Sequence, residues 1–140
     1  VEQAICLLII IAHSNDEKPL KSYNISDSLG VSDSYLKKII RQLVVAGLIT
    51  SEAGKKGGVC LSRKPDKITL LDIFEAIEGK EPFAKATGLV ERVFVNELKE
   101  IMDQKQAMIL DAFNAAEASY KEKLKTITLK MAMVERKKDS

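Results

Sequence analysis

Residues 24–63 read NISDSLGVSDSYLKKIIRQLVVAGLITSEAGKKGGVCLSR. Two capping signals stand close together in this stretch. Asn24 with Asp27 three residues on resembles a capping box, and Gly30 suits a left-handed helix end, which predicts a helix of barely two turns. Ser32 then precedes a second helix, with Asp33 and Ser34 in its first turn and Gly47 at its stop. Within that helix Tyr35, Leu36, Ile39, Ile40, Leu43 and Val44 recur at three- and four-residue spacing, whereas Lys37, Lys38, Arg41 and Gln42 fall largely on the other side. A short helix, a tight turn and an amphipathic basic helix make a helix-turn-helix pattern.

LITSEA and GVCLSR follow as short β-capable segments around GKKGG, so a basic hairpin comes directly after the second helix. Glycines and lysines together also suggest a phosphate loop. That reading fails on spacing, because a P-loop needs four residues between its glycines and a Lys-Ser or Lys-Thr to follow, between a strand and a helix. Here Gly54 to Gly57 is a tighter interval and the loop joins two strands, as a wing would.

Outward from this stretch, residues 1–14 (VEQAICLLIIIAHS) predict a buried helix ending near His13 and Ser14, and NDEKPLKSY a polar loop. The apolar run 4–12 covers about half the roughly 20 residues of a membrane span and lacks signal-peptide flanks. The chain starts at Val1, so some residues are expected to precede it. Thr69 with Asp72 caps one more helix, which Gly79 closes. KEPFAKATG is a connecting segment, and from 89 to about 124 there is no proline or glycine. An apolar stripe of Val90, Phe94, Leu98, Ile101, Met102, Met108, Ile109, Ala112, Phe113, Ala116, Tyr120 and Leu124 predicts one helix about 50 Å long. Such a helix is too long for a small winged helix to cover, so a second copy is its expected partner, with Phe94 to Tyr120 of the stripe at the dimer interface. Thr128 is expected to cap a short closing helix before a basic tail. The domains expected are 1–80, a winged helix; 81–89, a connection; and 90–140, the long and closing helices. The fold class is mainly α with an α+β wing.

The formal net charge of +2 conceals an asymmetry. The segment 21–67 is positive by about five charges, leaving the remainder negative by about three, so a basic module is joined to an acidic one. A polyanion suits the first. The two cysteines, Cys6 and Cys60, lack metal-ligand spacing and fit a reducing cytosol. Cys6 is expected to be a buried small hydrophobe and His13 a surface residue. One histidine, two scattered cysteines and no assembled carboxylate motif leave an enzyme without a catalytic set, and no metal site is expected.

This ordered set resembles the Rrf-two family of bacterial winged-helix regulators, which includes IscR, NsrR and CymR. The resemblance rests on Tyr35 and Leu36, Leu43 with Gly47 and Leu48, Gly54 with Gly57 and Gly58, Leu61 with Arg63 and Pro65, and then 68–79. It covers about residues 1 to 80 closely and the long helix only by shape. It implies a cytoplasmic homodimeric transcription regulator, a repressor by analogy, on a pseudo-palindromic DNA operator and subject to an unknown effector or regulatory protein. Two departures stand out. Iron-sulfur members carry three cysteines in the segment leading into the long helix and this chain has none there, so no cofactor is expected; several relatives place an arginine where this chain has Ala53.

By position, Ser32, Ser34 and Lys37 are expected at base edges or nearby phosphates, and Lys38 and Arg41 at the backbone. Tyr35 is read equally as a phosphate contact or a structural residue, while Lys55, Lys56 and Gly57 belong to a wing that clamps phosphates. Two rivals remain open: a winged helix that binds proteins, and a thiol-based redox sensor acting through Cys60.

Overall fold

A computed structural model describes residues 1–14, 21–55 and 57–134, with only the backbone for 22–24. The loop expected at 15–20, Lys56 and the basic tail 135–140 lie outside the described residues. The chain divides into two units, 1–79 with 124–140, and 80–123. Among the described residues no helix is long and apolar enough to cross a membrane.

The first unit begins with α1 (Glu2–His13), which buries Ala4, Leu7, Leu8 and Ile11 along one stripe. Cys6 lies about 150° around the helix from that stripe, and it is exposed rather than buried as expected. Ser14 ends the helix, its Oγ donating to the Ile11 carbonyl at 2.6 Å. The next helix, α2 (Ser22–Leu29), has Lys21 as its N-cap, so it starts earlier than expected and takes in Asn24. Gly30 closes it at φ 66°, and the amides of Gly30 and Val31 both donate to the Ser26 carbonyl. This left-handed turn releases the chain into α3 (Asp33–Val45) after two further residues.

Ser32 caps α3 by accepting the Tyr35 amide at 3.2 Å. Leu36, Ile39, Ile40 and Leu43 form its buried stripe. Tyr35 and Val44, expected on that stripe, are exposed. At about 100° per residue each sits a quarter turn from the stripe's centre, where the core no longer reaches.

The wing strands β1 (Ile49–Glu52) and β2 (Gly58–Leu61) pair antiparallel, Ile49 opposite Leu61 and Glu52 opposite Gly58. Ile49 and Val59 point into the core. A Cβ on Gly57 would run into the Glu52 carbonyl oxygen, so the tip closes only around a glycine. A 3-10 turn (Pro65–Lys67) leads to α4 (Leu70–Glu78). Its capping box is complete: the Asp72 amide donates to Thr69 Oγ1 at 3.1 Å, and the Thr69 amide to Asp72 Oδ2 at 3.0 Å.

The end of the described chain belongs to this unit too. Thr128 caps α7 (Leu129–Ala132), as its sequence predicts, and Leu129 is fully buried with Leu8, Leu43, Ile68 and Ile73 in the same core. The sequence reading groups this helix with the long one. What draws it into the first unit is backbone pairing beside an apolar anchor: the Leu70 amide donates to the Ile127 carbonyl at 2.9 Å, and Thr69 bridges to Thr128.

The second unit holds α5 (Leu89–Val93) and most of α6 (Lys99–Lys125). The expected continuous helix is thus interrupted at 94–98. Phe94 leaves helical geometry at φ −111° and ψ 51°, and the Glu97 amide donates to the Phe94 carbonyl at 3.2 Å in a turn. Val95 and Asn96 are both weak helix formers, so the break needs neither proline nor glycine. The connecting segment is tied to α6, the Phe83 amide donating to Glu117 Oε1 at 2.9 Å and its ring lying edge-on to Tyr120 at 5.8 Å.

Candidate nucleic-acid interface

The buried stripe of α3 determines what its other side presents. Opposite the stripe, within about 100° of arc, come Ser34, Lys37, Lys38 and Arg41, all exposed. None of these three cations enters an ion pair among the described residues. A solvated arc of three unpaired cations on the second helix of a helix-turn-helix has the sign and the placement to meet a polyanion.

The other expected site residues are placed unevenly. Ser32 is exposed but its Oγ already caps the helix, and it lies 3.3 Å from Ser34 Oγ. The Tyr35 hydroxyl donates to Gln3 Oε1 at 3.4 Å, which ties α3 to α1. Lys55 is exposed at the wing tip, Gly57 is buried there, and Lys56 lies outside the described residues. Arg63, behind the wing, pairs with Asp72 at 3.5 Å and so bears on the α4 cap.

One residue at this site escapes a reading of the sequence. Lys21 Nζ donates to the Gly54 carbonyl at 2.7 Å and also to the Gly57 carbonyl. Separations of 33 and 36 residues leave no local pattern that announces it.

The stripe expected at a dimer interface is open to solvent. No residue of α6 is buried; Ile101, Met108, Ile109, Phe113 and Tyr120 are exposed, as are Phe94 and Leu98 in the break. Met102 is half-buried, while Ala112 and Ala116 are exposed beside Phe113. Val90, Phe94, Met102, Ile109 and Leu110 line an open groove of about 370 Å³.

A family described as "Iron-dependent Transcriptional regulator", Rrf2, matches residues 1–135. The chain belongs to the Rrf2 family. It is similar to the HTH-type transcriptional regulator YwgB of Bacillus subtilis, 38% identical over 81% of this chain and 73% of that protein. It is likewise similar to the HTH-type regulator YffB of Lactococcus lactis, 38% identical over 69% of this chain and 62% of that one. Among solved structures, Staphylococcus aureus CymR covers 97% of this chain and 96% of its own at a TM-score of 0.63 and 25% identity. Rrf2 membership makes the chain a transcriptional regulator rather than an enzyme and implies DNA binding. The mainly helical winged helix expected from the sequence is the fold it has.

Iron in the family's description calls for a test of the donors. This Rrf2 chain has two cysteines and one histidine in all, and residues 80–98 contain neither type. Among the described residues no three His, Cys, Asp or Glu side chains come together as a metal site. Cluster iron takes thiolates, and two cysteines, one on α1 and one on β2, do not make such a set. The residues therefore do not fit an iron-sulfur group. Cys60 is half-buried opposite Thr50 in the wing ladder.

Proposed function

We propose that this chain is a cluster-free, homodimeric repressor that binds a pseudo-palindromic duplex operator. The observation that carries the reading is the exposed arc of Ser34, Lys37, Lys38 and Arg41, directly opposite the buried stripe of α3. With α3 in a major groove, its N-terminal residues, Ser32, Ser34 and Lys37, meet base edges or the adjoining phosphates. Lys38 and Arg41 neutralise backbone phosphates, and Lys55 with Lys56 does the same from the wing. Tyr35 serves mainly to hold α3 on α1 through Gln3.

The second unit supports the self-association in this reading. A soluble chain that leaves Ile101, Met108, Ile109, Phe113 and Tyr120 open on one helix gains by burying them, at roughly 25 cal/mol per Å² of apolar surface. Pairing α6 with its copy buries that stripe and sets two recognition helices about 34 Å apart or a multiple of it. An effector would act by changing that spacing or tilt.

The test is a titration of purified protein with duplexes selected from random-sequence DNA, over a range of salt. Binding to a two-fold-related sequence with a steep negative salt slope is expected. Salt-independent binding, or none, would leave the protein-interaction rival standing. Reporter transcription in cells, rising on deletion of the gene, checks repression.

A further inference from the structure

We infer that Lys21 is the positioning residue of the wing, holding its tip against the first helix of the helix-turn-helix so that the wing meets DNA in a preset orientation. The inference rests on the operator reading and adds a residue that carries no DNA contact of its own. A two-stranded hairpin is marginal by itself, and this one has only four residues in each strand. Its base is fastened by Ile49 and Val59 in the core, but among the described residues of its tip, 53–55 and 57, there is no apolar anchor.

Lys21 supplies the fastening there. Its Nζ lies 2.7 Å from the Gly54 carbonyl and also donates to the Gly57 carbonyl. Gly54 O is at the same time the acceptor for the Gly57 amide at 3.1 Å, so one carbonyl closes the turn with one lone pair and takes the ammonium on the other. Such charge-assisted bonds are stronger than neutral ones. The geometry depends on a tip that folds tightly, and Gly57 allows it, since a side chain there would strike the Glu52 carbonyl. At the other end Lys21 is the N-cap residue of α2, so the tether joins the wing tip to the start of the helix-turn-helix. Half-buried and committed to two carbonyls, this lysine is not placed as a free phosphate ligand.

Lys21→Met keeps the alkyl stem and removes the ammonium. The wild-type chain and the variant are compared on the same selected duplex across a salt series, and by amide hydrogen exchange of the free proteins. The expected result is an affinity about tenfold lower, a salt slope unchanged, and faster exchange at 53–58 with α3 amides as protected as before. A slope shallower by about 0.9 means that Lys21 neutralises a phosphate directly, which overturns the tether. Equal affinity and equal exchange overturn it as well. If the wild-type chain binds no selected duplex, the operator reading falls and this role with it, an outcome distinct from a wild type that binds and a variant that binds identically.

Discussion

The amide of Leu129 donates to the carbonyl of Ile68 at 2.8 Å, joining two residues that are both fully buried and 61 positions apart. Residues 80–123 are therefore an insertion into the winged helix, whose chain completes its own core only after the long helix has run its length.

Leu129→Ala removes a fully buried side chain from the core that α1, α3 and α4 share, and is expected to cost about 3 kcal/mol of unfolding free energy. Urea denaturation read by circular dichroism checks it; a change below about 1 kcal/mol would mean that the C-terminal segment is not part of the folding unit.

Lys37→Ala and Lys38→Ala remove exposed cations from α3 and leave its buried stripe intact. Each is expected to weaken duplex binding, with the salt slope falling by about one for every phosphate left unneutralised, and to leave thermal stability essentially unchanged. Fluorescence anisotropy over a salt series, with melting curves of the same samples, measures both.

Ile109→Asp puts a charge in the middle of the open stripe of α6, where half of Ile109 is already exposed in the single chain. The wild-type chain is expected to scatter light at twice its mass of 15.5 kDa, and the variant at that mass, still helical. Equal masses for the two would remove α6 from the interface.

Thr69→Ala deletes the hydroxyl that accepts the Asp72 amide and is expected to cost about 1 kcal/mol. Asp72→Ala goes further, because the same carboxylate accepts the Thr69 amide and pairs with Arg63. Comparing denaturation midpoints of the two variants gives the order.

Protein purified under anaerobic conditions is expected to be colourless above 400 nm and to hold far less than one iron per chain, because the cysteines sit on α1 and β2 and residues 80–98 have none. Stoichiometric iron with visible absorption would reverse the assignment.

What is legible in the residue pattern and what is not divides along physical lines. Ser32, Gly30, Thr69 and Thr128 act within a few residues of themselves, so the caps, the turn and the bounds of α3 and α4 are visible in the chain itself. The start of α2 is not, because Lys21 offers no side-chain cap and Asn24, three places on, imitates one. Helical spacing carries through Phe94 unchanged, so the stripe runs on across the break that Val95 and Asn96 introduce. Cys6 is misjudged because α1 is apolar nearly all round, and composition alone does not say which side a core will cover. Lys21 at the wing and Leu129 under α4 depend on partners dozens of residues away, which no window along the chain contains.

The re-entry of the chain at Leu124 bears on how such a regulator can be dissected. A fragment cut after Gly79 is expected to fold poorly, for it leaves a hole where Leu129 belongs. The divisible piece is instead a cassette, 80–123, and an exchange confined to it would leave the core on either side of it whole.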